Sequence, residues 1–269
     1  MNNMRRRKIP SQLEYLEDKI EKTAIPAITI VPYQAPTSLT DSKFGGIPYL
    51  PKNLRYPKDL NGTPMKLLAQ LNFAQLPPIA PFPAQGILQF FLSSDILHIE
   101  TKNHQEIFQH FFKVRYHLNT TEQLKANERE NPSSQIEFTN FPINEELSLK
   151  FIETTEPISA FDYRLSTLLG KEIFKQQYNL DGLDFMEDVY MQYYLGAGHK
   201  IGGYPYFLQK DIRSNSQLLK KYDTLLLQID SNDALGIMWG DSGVANFFIN
   251  RENLLKRDFT DILFHWEQY

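Results

Sequence analysis

Lys43-Phe44-Gly45-Gly46-Ile47-Pro48-Tyr49, Leu67-Leu68-Ala69-Gln70-Leu71-Asn72 and Gly86-Ile87-Leu88-Gln89-Phe90-Phe91-Leu92 stand in that order in the first half of the chain. The second half repeats them as Lys200-Ile201-Gly202-Gly203-Tyr204-Pro205-Tyr206, Leu225-Leu226-Leu227-Gln228-Ile229-Asp230 and Gly243-Val244-Ala245-Asn246-Phe247-Phe248-Ile249. Gly45 to Gly202 is 157 residues, Gln70 to Gln228 is 158, and Gly86 to Gly243 is 157. Three matched blocks at a nearly fixed separation mark an internal duplication, and two copies imply two similar lobes rather than a solenoid.

Each block has a local reading. Gly45-Gly46 takes positive φ without strain and Pro48 holds Ile47 extended, which makes a tight entry to the lobe. In the next strand, alternation puts Leu67, Ala69, Leu71 and Phe73 on one face and Leu68, Gln70 and Asn72 on the other. The second copy matches, with Leu225, Leu227 and Ile229 opposite Leu226, Gln228 and Asp230. The third block is apolar at almost every position, with Gln89 or Asn246 as its interior polar residue, so it reads as a central strand covered on both sides. A closing strand follows in each copy, over 108–118 and 262–266.

Outward from the repeats, Ser11 and Glu14 have capping-box spacing, and Leu13, Leu16 and Ile20 make an amphipathic helix. Residues 24–33 are β-branched but carry Pro26 and Pro32, which predicts an edge strand. Residues 120–134 are polar and read as a connection or exposed helix, and 136–155 as one or two strands. Leu165, Leu168, Leu169, Ile173 and Phe174 predict a helix over 162–177. Phe185, Val189 and Tyr193 predict another over 184–195, stopped by Gly196. The expected fold class is α+β and β-rich: internally duplicated antiparallel sheet units, 24–118 and 196–269, with a mixed strand and helix insertion, 119–195, in a single domain 1–269.

A formal net charge of −4 gives no field that recommends nucleic acid. The absence of Cys removes disulfides, thiolate metal sites and cysteine nucleophiles, and fits a reducing cytosol. Arg5, Arg6, Arg7 and Lys8 lead into a polar segment rather than the apolar run of a signal peptide. No stretch reaches the roughly 18 apolar residues of a membrane span. The expectation is a cytoplasmic protein with no membrane or nucleic-acid partner.

Several constellations resemble chemistry. Trp239-Gly240-Asp241-Ser242-Gly243 contains the Gly-Asp-Ser-Gly of serine nucleophiles, but it lacks the supporting histidine segment and precedes a strand, so it reads as a turn. The loop 196–203 is glycine-rich, yet it follows a helix and opens a strand, the reverse of a phosphate-cradling loop. His98, His104, His110 and His117 have no metal-site spacing. The recurring pairs Gln70 with Gln228 and Lys43 with Lys200 are either a brace between lobes or a polar pocket at their junction. Tyr49, Tyr206, Trp239 and Asp241 are their neighbours in sequence. These eight residues are the candidate ligand or partner contacts. The glutamines read as the brace, and the lysines as the contacts because charged groups are rarely fully buried.

Lys43 to Pro51, Leu67 to Asn72, Gly86 to Phe91, Gly202 to Pro205, Leu226 to Asp230 and Trp239 to Ile249 together resemble the YwqG-like family of bacterial proteins, a domain of unknown function, over Ser42 to Tyr269. The resemblance implies a β-rich α+β fold and a bacterial cytosolic setting, and carries no catalytic residues or cofactor. Family members encoded near toxin and immunity genes imply a binding role by association. The functional expectation is therefore a non-catalytic binding protein for an unknown protein or small molecule, with no cofactor and no metal. The alternative is an enzyme or small-ligand protein with its pocket at the junction of the repeats.

Overall fold

Ile25–Tyr33 (β1) carries two prolines and still lies in the middle of the sheet, not at its edge. In the computed structural model, which describes residues 9–52, 54–94, 111–118, 132–136, 138, 140–170, 177–178 and 184–269, the strands follow in chain order. They are β1, Lys43–Phe44 (β2), Lys66–Asn72 (β3), Ile87–Leu92 (β4), Phe112–His117 (β5), Leu147–Glu156 (β6), the small hairpin Gln177–Tyr178 (β7) and Asp184–Phe185 (β8), Lys200–Gly202 (β9), Thr224–Asp230 (β10), Val244–Ile249 (β11) and Ile262–Glu267 (β12). Ten of them form one antiparallel sheet in the order β12-β11-β10-β9-β1-β6-β2-β3-β4-β5. β1 pairs with β6 along its whole length, and with β9 only over Ala27 to Thr29.

That short pairing is how the prolines are accommodated. Ile30 donates its N–H to His199 O, and Pro26 O accepts from Gly203 N, so the even-numbered residues of β1 turn their backbone groups toward β9. Pro26 and Pro32 fall on either side of the paired stretch, where their missing N–H interrupts no ladder bond.

The sheet is two arms flanking the β1–β6 pair. Its inner face carries the main core: Ile28 and Ile30 from the centre, Leu88 and Phe90 from one arm, Ala245 and Phe247 from the other. The sheet curls into a nearly barrel-shaped form, so the Phe90 ring lies 4.8 Å from Phe247 and the Phe112 ring 5.4 Å from Phe264. All four repeat aromatics, Phe90, Phe91, Phe247 and Phe248, are buried.

The simple alternation expected for β3 and β10 fails at one matched position. A bulge lies between Leu67 and Ala69 and another between Leu225 and Leu227. The extra residue, Leu68 or Leu226, joins the inner core with Ala69 and Leu71 or Leu227 and Ile229. Leu67 and Leu225 are thereby turned to the outer face, where they pack on Phe91 and on Phe248.

Outside the sheet, a 3-10 turn over Ser11–Leu16 runs into the helix Glu17–Glu21 (α1). Pro10, not Ser11, occupies the cap position, and no side-chain cap bond forms, so the capping box is not used. The apolar stripe is: Leu13, Leu16 and Ile20 are buried against Leu165–Leu169 (α2) and Met186–Tyr193 (α3). α2 is shorter than expected; Ile173 and Phe174 lie outside the described residues. α3 buries Val189 and Tyr190, while Tyr193 faces solvent. A short helix, Arg251–Lys256 (α4), is capped by Asn250, whose side chain accepts from Glu252 N and Asn253 N. Among the described residues, no helix is long and apolar enough to cross a membrane.

Candidate functional site

Two polar rows cross the outer face of the sheet. In the first arm, register aligns Gln89, Gln70, Lys43, Ser148 and Tyr33 across five strands. In the second it aligns Asn246, Gln228, Lys200, Thr29 and Ile152. Side chains directly opposite in an antiparallel sheet share a face, so each row is one strip of side chains.

The glutamines are fully used within their own arms. Gln70 Oε1 accepts from Tyr49 N and from Gln89 Nε2, both at 2.8 Å, and its Nε2 donates to Leu39 O and Asp41 O, both at 2.8 Å. Gln228 Oε1 accepts from Tyr206 N at 2.7 Å, and its Nε2 donates to Gly196 O and Gly198 O at 2.9 and 2.8 Å. Each glutamine thus ties the loop before its Gly-Gly to the loop after it. Gln89 and Asn246 complete the pattern by donating to Tyr49 O and Tyr206 O. Gln89 continues to His117, with 2.9 Å between Oε1 and Nε2.

The lysines are buried, contrary to their expected exposure, because each meets a carboxylate. Lys200 Nζ is 2.6 Å from Glu156 Oε2, and Lys43 Nζ is 3.7 Å from Glu146 Oε2, with both lysines 1% exposed. Burial pushes the Lys43 ammonium below its ordinary value, and Glu146 and Asp41 resist that shift. Burial pushes the Asp230 carboxyl up, against the N–H groups of Gly198 and Ser231 and the charge of Lys200. Beside it, His199 Nδ1 accepts from Asp230 N at 3.1 Å, and burial holds that imidazole down at about 4.

The structure therefore sorts the eight candidates into four places. Lys43, Tyr49 and Gln70 form one cluster, and Lys200, Tyr206 and Gln228 the other. The clusters lie on opposite sides of the β1–β6 pair, and their rows cross β6 at Ser148 and Ile152, four residues or about 13 Å apart along the strand. Trp239 is buried on the inner face against Phe264 and Trp266. Asp241 is exposed in the turn before β11, where Ser242 has φ 54° and Gly243 N donates to Trp239 O. Glu146 and Glu156 were not among the sequence candidates, since they fall outside the repeated blocks. His98, His104 and His110 lie outside the described residues; His117 is buried, opposite Ile87 in register, and meets the row through its bond to Gln89.

Loops cover the outer face of each arm. Phe207 and Tyr222 pack over Leu225, Phe248 and Leu263, and Tyr56 and Met65 over Leu67 and Phe91. Arg213, fully buried between Asp211 and Asp162 at 2.7 and 3.4 Å, clamps the first of these covers to the loop after β6. The outer face of the central pair is different. Val31, Tyr33 and Ile152 are 39%, 47% and 47% exposed. Thr29, Thr154 and Glu156, on the same face by strand parity, lead into a cleft of about 900 Å³ walled by α1 and the end of α3.

A family model described as "Domain of unknown function (DUF1963)" matches residues 42–267. No curated protein matches the chain.

Proposed function

The chain belongs to the DUF1963 family, and we propose that it is a non-catalytic binding protein whose site is the outer face of β1 and β6, where the two arms meet. The observation that carries this reading is the exposure of Val31, Tyr33 and Ile152 in the middle of a face that is covered on both flanks. Exposed apolar side chains gathered in one place mark contact surfaces. The rows on either side hold the arms rigid around it, which limits the ordering cost of binding. The resemblance to the YwqG-like family supports a bacterial cytosolic setting and a partner from a toxin or immunity system. Ile152→Asp, on a half-exposed strand position, is expected to abolish capture of a mass-spectrometrically identified partner from native-host lysate without moving the melting temperature. A partner retained equally by this variant overturns the reading. The cleft beside α1 favours the second reading, a small-ligand or enzymatic pocket at the junction, which Ile152→Asp would leave intact.

The arms themselves we infer to be products of duplication, with the helix-bearing stretch between them as an insertion. Matched bulges at Leu68 and Leu226, and matched glutamine bonds to Tyr49 and Tyr206, support this. On that reading β6 ends the first unit, and β1, from before it in the chain, supplies the equivalent strand of the second.

A further inference from the structure

We propose that the occupant of this face is an extended peptide segment, apolar where it lies along the β1–β6 track and basic at one end, with that basic end seated in the cleft between α1 and α3. The inference rests on the binding reading above and adds the chemistry of the partner. The cleft walls carry Glu17, Glu21 and Glu156, and no Lys or Arg among the described residues that line it. Glu17 and Glu21 are four residues apart on α1 and so share a side of the helix. Lys200 lies buried behind Gly196 with its ammonium 2.6 Å from Glu156. The C-terminal end of α3, around Gln192 to Tyr194, adds the negative end of its dipole to the same wall. Among the described residues that line the cleft every charged side chain is acidic, and Glu17 and Glu21 favour a cation over an anion.

The shape favours a peptide over a small amine. From the cleft, Tyr193, Ile152, Val31 and Tyr33 continue as an exposed apolar track. The nine paired residues of β1 span about 30 Å, the length of an extended peptide of about nine residues. An amine would fill the cleft and leave the track bare. Lys150, exposed opposite Val31 on the same face, lies along the track beyond Ile152 and disfavours a basic side chain there, which orients the peptide with its basic end toward Glu17 and Glu21. Strand addition along β1 is excluded on its β9 side, because Pro26 and Pro32 offer no N–H there. The segment lies over the face.

The test is fluorescence anisotropy with two labelled nonapeptides on the full chain, one with a run of Lys at one end followed by alternating Val and Ser, the other with Glu in place of each Lys. The Lys peptide is expected to bind, to weaken about tenfold between low and physiological salt, and to lose about tenfold more in Glu17→Lys/Glu21→Lys at unchanged melting temperature. Glu21→Lys alone, at an exposed position, gives a smaller loss and serves if the double variant is unfolded. Equal binding of the Lys peptide by wild type and Glu21→Lys overturns the inference, as does equal or tighter binding of the Glu peptide. If the Glu peptide binds and Ile152→Asp abolishes it, the charge assignment has failed and the face has survived as the site. Failure of both peptides overturns the peptide assignment, and the lysate capture with Ile152→Asp then decides the site separately.

Discussion

Replacing Gln70 by Leu removes four hydrogen bonds while keeping the side chain close to its original volume. The two partner carbonyls, Leu39 O and Asp41 O, lie on half-buried residues and can turn to water. Tyr49 N cannot, because Tyr49 is fully buried. Gln89 Nε2 keeps its second acceptor, Tyr49 O, at 2.7 Å. One orphaned buried donor costs about 1–3 kcal/mol, and the weakened loop ties add to it. The expected loss for Gln70→Leu is therefore about 2–4 kcal/mol. Gln228→Leu orphans Tyr206 N in the same way, and Tyr206 is half-buried, so its loss lies toward the lower end of that range. Gln70→Glu is the sharper variant: it keeps the acceptor for Tyr49 N but faces two carbonyls with an oxygen in place of the amide donor. Its loss should exceed that of Gln70→Leu. Equilibrium urea unfolding with a common m-value gives the ordering. If Gln70→Leu and Gln228→Leu both cost under about 1 kcal/mol, or if Gln70→Glu is the mildest of the three, the glutamines are not the ties described here.

Burial holds the imidazoles of His117, aided by Arg115, and of His199 at about 4, so both stay neutral in the fold while the unfolded chain protonates near 6.5. Stability should be insensitive to them above that pH and fall by about 3 kcal/mol per histidine as pH drops toward 4, with His199→Asn flattening the slope in urea melts; equal slopes in the variant and wild type refute it. Phe90→Ala and Phe247→Ala, at the contact between the arms, should each cost about 3–5 kcal/mol in the same melts. Glu156→Gln removes the carboxylate 2.6 Å from the buried Lys200 ammonium and should cost about 3–5 kcal/mol, whereas Lys200→Met with Glu156→Leu should come close to wild type; a double-mutant cycle showing no coupling contradicts the pair. Ser242→Ala should leave labelling by a fluorophosphonate probe unchanged, because Ser242 sits in a turn at φ 54°; labelling that vanishes in the variant makes it a nucleophile.

Short-range patterning made most of the strands legible, and long-range neighbours decided what was not. The apolar runs at Ile87–Leu92 and Val244–Ile249 read as doubly covered strands, and both are buried throughout. β1 read as an edge because proline in a strand usually loses a bond; that rule concerns a partner, and the length of β9 is not written in β1. The faces of Leu67 and Leu225 were misplaced because a bulge changes the period without changing the composition. Gln70 and Gln228 stood out through repetition alone, and their bonds to loop backbone have no pattern of their own. The burial of Lys43 and Lys200 was invisible for a different reason. The lysines repeat, but their partners Glu146 and Glu156 are ten residues apart on one strand and do not.

That asymmetry in the partners bears on how the two arms work together. Glu146 accepts from Thr37 Oγ1 and Ile47 N as well as facing Lys43, so it pins the first Gly-Gly loop. Glu156, at the other end of β6, reaches past β1 to Lys200 and packs against Gly203 in the second. A single strand therefore anchors both loops, although the loops belong to different arms. A shift of β6 by two residues would preserve its inner and outer faces and much of its pairing with β1. It would also pull both carboxylates about 7 Å from their lysines and break both buried ion pairs. The two ion pairs thus act as register pins on the strand that carries Ile152, and hold the exposed track in one alignment between the covered arms.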